Sequence, residues 1–286
     1  MDSVIVQSPL LKKALGRVLH DYPGVTTSLD RLTFRAPFKS LVHRWANLVS
    51  ALEEEQDVEA KAHLDLFHRT MKEELQDDLK ARDDYILNRV ITWNTCWMIF
   101  EPATIVFTAD DKEDRALRLK SGSYITTQCG PAFALDCDYV DWDGEHFGLG
   151  SSRKLIHEFA GTKPITKLTA FPLKYHENLA EVTKTLTERG ERFEALSGYR
   201  YKHYQGVAVG QGAWGPVKYN VDSRIILDTY AWNRFNPNRQ ISLGPLNQAV
   251  GQDNDGDDAE DRSEDEYGDA SLDALLAQGT HQPRPS

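Results

Sequence analysis

A glycine-rich hexapeptide, Gly210-Gln211-Gly212-Ala213-Trp214-Gly215, has the GxGxxG spacing that lets backbone amides approach a pyrophosphate. That chemistry needs a helix N-terminus directly after the loop, and Pro216 to Val221 reads as a strand. With Val217 the segment also fits the glycine loop of protein kinases, but no VAIK, HRD or DFG element follows to supply a base or metal-holding residues. The spacing predicts a hairpin loop. Asp136, Asp138, Asp141 and Asp143 before Gly144 have the hard oxygen ligands a calcium loop uses. If Gly144 took the sixth loop position, Tyr139 would be the first ligand and Gly150 the twelfth, and neither offers a carboxylate. A hairpin with one charged face accounts for the spacing; a weak enzyme site around Asp141, Asp143 and His146 stands as an alternative.

His157-Glu158 begins like a zinc-protease HExxH, but Gly161 holds the place of the second histidine. His63 and His68 miss the helical spacing for a shared metal, no GxSxG elbow occurs, and the absence of any Gly-Lys pair removes the P-loop. No catalytic, cofactor-binding or metal-binding set is therefore assigned. The one basic and aromatic stretch is Tyr199-Arg200-Tyr201-Lys202-His203-Tyr204. Extended, it sets Tyr199, Tyr201 and His203 on one face and Arg200, Lys202 and Tyr204 on the other, suited to stacking bases or holding an acidic peptide. Candidate partner-binding residues are Tyr199, Tyr201, Lys202 and, in the glycine loop, Trp214; the other tryptophans read as core anchors. In the acidic C-terminal segment, Leu272, Leu275 and Leu276 fall at helical spacing and could form a short partner helix.

The elements that must position these groups begin with helices. Ser8-Pro9 followed by Leu10, Leu11, Ala14, Leu15, Val18 and Leu19 gives an N-cap, a proline at the first helical position and an apolar stripe, ending before Tyr22-Pro23-Gly24. Ala36-Pro37 opens a second helix carrying Phe38, Leu41, Val42, Trp45, Leu48, Val49 and Leu52 on one face. A third, from Asp57 to about Asp84, aligns Leu64, Phe67, Met71, Leu75 and Leu79. Strands are then expected at Val90–Phe100, Thr104–Thr108, Ser123–Thr127 and Phe133–Trp142. The last leads through Asp143-Gly144, a strong hairpin signal, to His146-Phe147. Leu155–Phe159 reads as a strand and Ile165–Leu173 as a strand or loop. A helix from Asn178 to Leu196 should turn Leu179, Val182, Leu186 and Phe193 inward, and strands are expected at Tyr199–Val209 and Val217–Tyr230. The fold class is α+β: N-terminal helices packed on a mostly antiparallel sheet, with a barrel-like closure as one form. The divisions are a helical portion, 1–88, a β-rich portion of the same domain, 89–245, and a disordered acidic tail, 246–286.

The charge divides along the same line. The 286 residues carry a formal charge of −11, but residues 251–286 hold 11 acids and 2 bases, leaving residues 1–250 at −2. A near-neutral body gives no support to a general affinity for nucleic acid. The tail's Asp, Glu, Gly, Gln and Pro cannot bury enough apolar surface to offset ordering entropy. No stretch approaches the ~18 consecutive apolar residues of a membrane helix, and the N-terminus does not read as a secretion signal. Cys96, Cys129 and Cys137 have no CxxC spacing and suit buried thiols in a reducing, intracellular compartment, cytoplasm or nucleus.

Several segments in order resemble one family: SPLLKKALGRVLHDYPG (8–24), FKSLVHRW (38–45), FEPATIV (100–106), YVDWDGEHFG (139–148), EFAGTKPITKLTAFPLKYH (158–176), RGERFEALSG (189–198) and YQGVAV (204–209). Over about residues 4–245 the chain resembles the domain of unknown function upstream of the AAA+ ATPase module in large fungal ATPases. The GTKPIT and FPLKYH block is the most specific part. The resemblance implies a modular protein in which Asn236-Pro237-Asn238-Arg239 leads into a linker ahead of an ATP-hydrolysing ring. No Walker motif stands in this chain, so ATPase activity transfers to none of its residues, and homo-oligomers are expected only when the ring module is joined. The expected function is a non-catalytic recognition or adaptor domain that binds protein partners or substrates without a cofactor or a membrane. The alternative is a single-stranded nucleic-acid or RNA module built on the 199–204 strand and Lys218.

Overall fold

A computed structural model describes residues 1–26, 31–110, 113–212 and 215–246. In chain order it contains β1 (Ser3–Val6), α1 (Pro9–Val18), β2 (Leu32–Arg35), α2 (Lys39–His43), α3 (Trp45–Glu54), α4 (Val58–Leu87), β3 (Val90–Thr92), β4 (Ile105–Asp110), β5 (Glu113–Thr127), β6 (Gly130–Trp142) and β7 (Phe147–His157). These are followed by β8 (Thr162–Pro164), β9 (Ala170–Pro172), α5 (Leu179–Ala195), β10 (Arg200–Gly212), β11 (Gly215–Leu227) and α6 (Thr229–Phe235). The α+β class stands. The described residues form two compact units: Met1–Tyr139 with Ser151–Thr183, and Val140–Gly150 with Lys184–Leu246.

In the first unit α1 and α4 start where their caps dictate. Ser8 Oγ accepts from the Leu11 amide at 3.2 Å with Pro9 next in the chain, and Asp57 Oδ1 accepts from the Ala60 amide at 2.8 Å at the start of α4. α1 packs on α3 and α4, burying Leu11, Ala14, Leu15 and Val18 together with the α4 row Leu64, Phe67, Met71, Leu75 and Leu79. The helix expected from Ala36-Pro37 is two helices. The backbone at Arg44 (φ −101°, ψ 21°) breaks the run between α2 and α3.

The main sheet has the order β7-β6-β5-β4-β9, with β4–β5, β5–β6 and β4–β9 antiparallel. It is open, with β7 and β9 as its edges, so no barrel closes among the described residues. Ala132, Phe133, Ala134 and Leu135 are buried in succession, which shows that both faces of β6 are covered there. Phe133 sits against Phe100 and Tyr124, with ring centroids 5.7 and 4.7 Å away.

The expected strand over Val90–Phe100 is corrected. Only Val90–Thr92 is extended, and Trp93–Met98 is a 3₁₀ helix whose Cys96, Trp97 and Met98 are all buried. An apolar run buried on every side has no period to distinguish strand from tight helix. Cys96 and Cys137 are buried, and burial pushes each thiol up to about 12; Cys129, expected to be buried, is exposed at the β5–β6 turn.

The second unit contains the β6–β7 tip, most of α5, the β10–β11 ribbon, α6 and the segment to Leu246. No residue of α5 is fully buried: Val182, Leu186 and Phe193 are half-buried on the expected face, whereas Leu179 is 40% exposed, contrary to expectation. The strand expected to run to Tyr230 stops at Leu227, because Asp228 caps α6 by accepting from the Ala231 amide at 2.9 Å. The acidic tail, with its expected disorder, lies outside the described residues, as do Trp214, Leu272, Leu275 and Leu276.

Candidate functional site

β10 and β11 form an antiparallel ribbon in continuous register, from Arg200 opposite Leu227 to Gly212 opposite Gly215. Val207, Val209, Val217, Val221, Ile225 and Ile226 supply the β-branched residues that favour extended backbone. The ribbon is a sheet of two strands, so each strand has an outer edge without a strand neighbour among the described residues. Natural sheets usually cover such edges, because unpaired N–H and C=O groups are ready to add another strand.

The register confirms that Tyr201 and His203 share one face while Arg200, Lys202 and Tyr204 share the other. It places Lys218, already part of the nucleic-acid alternative, and adds residues that the linear sequence left unmarked. Ile226 lies opposite Tyr201, Arg224 opposite His203, Lys218 opposite Val209 and Tyr219 opposite Ala208. Tyr199, just before the ribbon, is 65% exposed, Tyr201 59% and Tyr219 49%, and Val207, Val217 and Ile226 are exposed as well. Tyr204 behaves differently: its hydroxyl donates to the Val207 carbonyl at 2.9 Å, folding the ring back along the strand over Gly206. The hairpin register was the signal for the missed residues; pairing outward from Gly212 and Gly215 places Arg224 beside the predicted group and Tyr219 further along the ribbon, opposite Ala208.

The ribbon is also basic. It carries Arg200, Lys202, Lys218 and Arg224 and one acid, Asp222, whose carboxylate is held by His203 Nε2 at 3.1 Å and by Gln205 Nε2 at 3.1 Å. None of the four cations pairs with a carboxylate among the described residues, and all four are exposed. Aromatic rings, aliphatic side chains, free edges and unpaired cations thus occur on one element that buries almost nothing.

The other candidates are occupied with structural work. Asp143 Oδ1 accepts from the amides of Glu145 and His146, both at 2.7 Å, and its carbonyl accepts from Asn233 Nδ2 at 2.6 Å. Partial desolvation pushes this carboxyl up, but the His146 and Glu145 amide hydrogen bonds outweigh it and hold it below the usual range. Asp143 is therefore the cap of the hairpin turn. Gly144 completes it with φ 107°, and a Cβ there would lie 2.6 Å from the Tyr230 backbone nitrogen. Asp136 meets Arg153 at 2.7 Å and Ser121 at 3.3 Å, and Asp138 meets Arg118 at 3.3 Å. Among the described residues no three His, Cys, Asp or Glu side chains gather as a metal site would require.

A shallow pocket in the second unit is lined by Asp141, Trp142, Phe193, Leu196, Leu227 and Asp228. The Trp142 indole N–H is buried there without a partner among the described residues. Ser8 and His63 approach to 2.8 Å, but Ser8 Oγ is already the α1 cap, and no carboxylate among the described residues orients the imidazole.

His43 is also structural. His43 Nε2 lies 2.7 Å from the Trp97 carbonyl and Nδ1 lies 2.7 Å from the Tyr22 hydroxyl. A carbonyl can only accept, so Nε2 carries the proton and Nδ1 accepts from tyrosine. Burial lowers His43 to about 4, with the Trp97 hydrogen bond opposing and nearby Lys39, Lys174 and Arg82 assisting. Burial likewise raises Tyr22 above its ordinary value.

Residues 81–177, from the end of α4 to just beyond β9, match the model of a family described as "Domain of unknown function (DUF7025)". The GTKPIT and FPLKYH block falls inside this match, and the ribbon falls outside it. No curated protein and no solved structure matches the chain. No helix among the described residues is long and apolar enough to cross a membrane.

Proposed function

We propose that this chain is a non-catalytic recognition domain of the kind that stands upstream of an AAA+ ATPase module in fungal proteins, gripping protein partners or substrates for that module. The observation that carries this reading is the β10–β11 ribbon, with two open edges and exposed Tyr199, Tyr201, Val207, Val217 and Tyr219. Adding an extended peptide to such an edge gives affinity through main-chain hydrogen bonds, and flanking side chains give selectivity. The colinear segments from 8–24 to 204–209 support the placement of the domain.

The second reading, a platform for single-stranded nucleic acid, is favoured by one specific observation. Four unpaired cations and three exposed tyrosines lie on or beside one ribbon, the combination that stacks bases and follows a phosphate backbone. It predicts binding that falls with salt and weakens in Tyr201→Ala.

One experiment separates the two. A photoreactive benzoylphenylalanine is placed at Tyr201 or Tyr219 in the full chain, with the exposed Leu66 of α4 as control. Discrete polypeptide adducts from the ribbon positions and none from Leu66 support protein recognition. Adducts removed by ribonuclease move the assignment to nucleic acid, and equal labelling at all three positions refutes a ribbon site. A robust turnover activity of the isolated chain would overturn the non-catalytic reading.

A further inference from the structure

The ribbon's unpaired charge and the chain's own composition are complementary. Residues 200–227 carry four bases and one acid, whereas residues 253–269 carry ten acids and one base, Arg262. The opposite charges are close in sequence: Leu246 belongs to the same unit as the ribbon, and Asp253 follows six intervening residues later. Their lengths also correspond. Thirteen residues per strand make the ribbon about 44 Å long at about 3.4 Å per residue, and seventeen extended residues reach up to about 55 Å.

The cations are spread along that length. Arg200 and Lys202 lie at the end nearest α6, Arg224 lies opposite His203, and Lys218 lies further out opposite Val209. Asp222, the one ribbon acid, is already engaged by His203 and Gln205 and leaves the field of the four cations largely uncancelled. By the register Arg200 and Lys202 lie on one face and Arg224 and Lys218 on the other. A polyanion with charges every one or two residues meets a pair of cations on either face and reaches all four by crossing an edge of the ribbon, so it needs no fixed structure of its own to be held.

We propose that the acidic segment 253–269 docks in cis on the β10–β11 ribbon and shields it until a partner displaces the segment. The docking is electrostatic and reversible. It needs only the charge of the ribbon, so its failure would leave the recognition reading standing.

The test uses paramagnetic broadening in the full chain. Ser263→Cys in a Cys129→Ser background carries a nitroxide; Cys96 and Cys137 are buried, with thiols pushed up to about 12, and stay unlabelled. The expected result is selective loss of amide intensity over Arg200–Tyr204 and Lys218–Arg224 at low salt, with recovery at about 0.5 M salt, where screening falls to a few ångströms. Two variants should abolish the loss: R200Q/K202Q/K218Q/R224Q on the ribbon, and D253N/D255N/D257N/D258N/E260Q/D261N in the tail, which leaves every described residue unchanged. Unchanged ribbon intensities at low salt would overturn the proposal, as would broadening that survives salt or both variants. Broadening that appears only when spin-labelled and isotope-labelled chains are mixed would overturn the cis contact and assign the ribbon to the tail of a second copy.

Discussion

The two units differ most in what they bury. Among the described residues, the first contains every buried hydrophobic side chain except Ala208 of the ribbon. The second instead exposes Tyr199, Tyr201, Tyr219, Tyr230 and, at 77%, Phe235. Burial supplies the main favourable term in folding, so the first unit accounts for its own stability and the second draws little from a core. The elements we propose for recognition are those that contribute least to the fold, as expected where binding segments come from the low-stability end of a structure.

The largest effect should come from the core of the first unit. Phe133→Ala removes a fully buried ring from between Phe100 and Tyr124 and should cost about 3–5 kcal/mol of unfolding free energy in a denaturant titration. A loss below about 0.5 kcal/mol would break the contrast, since surface positions already give that much.

Acid should act next, through His43. Its folded value of about 4 lies below the unfolded 6.5, so the unfolded chain binds more protons between these limits. The stability it provides is complete above about pH 6.5 and declines as pH falls toward 4, by roughly 3 kcal/mol at 1.36 kcal/mol per pH unit. Denaturant midpoints measured across that interval should fall, and His43→Gln should flatten the fall.

Gly122→Val tests packing at shorter range. A Cβ at Gly122 would lie 2.8 Å from the Phe133 ring, and overpacking of this kind costs about 1–3 kcal/mol. Thermal unfolding of the variant should begin earlier, with the near-ultraviolet aromatic signal as the readout.

The smallest stability effect should be Tyr201→Ala. This exposed ribbon residue should shift the denaturant midpoint by no more than about 0.5 kcal/mol while weakening partner binding. A large stability loss with unchanged binding would reverse the roles of the two units.

The parts of this fold with a clear local signal were readable from the residues. Ser8-Pro9 and Asp57 place the starts of α1 and α4, and Asp143-Gly144 places the β6–β7 turn, because caps and turns are satisfied by neighbours in the chain. The 3₁₀ helix at Trp93–Met98 was hidden because burial on all sides erases periodicity. The break at Arg44 was hidden by an apolar pattern that runs unbroken across it. The candidate site was half readable. Tyr199, Tyr201 and Lys202 form one linear cluster, whereas Tyr219 and Arg224 join it only through pairing with Ala208 and His203, a property of register and not of composition.

The C-terminal side of the second unit has an anchor whose effect reaches beyond it. Leu149 and Gly244 exchange backbone hydrogen bonds of 2.8 and 2.9 Å, and Gly148 leaves no room for a Cβ beneath Leu243. The chain is pinned there, and Asp253 follows nine residues later. So short a tether turns an encounter with the acidic run into an intramolecular event, at an effective concentration on the order of millimolar. Under the proposed docking, an outside ligand for the ribbon must outcompete the tail through affinity or multivalency, and moving the pin would change that threshold without altering any residue of the ribbon.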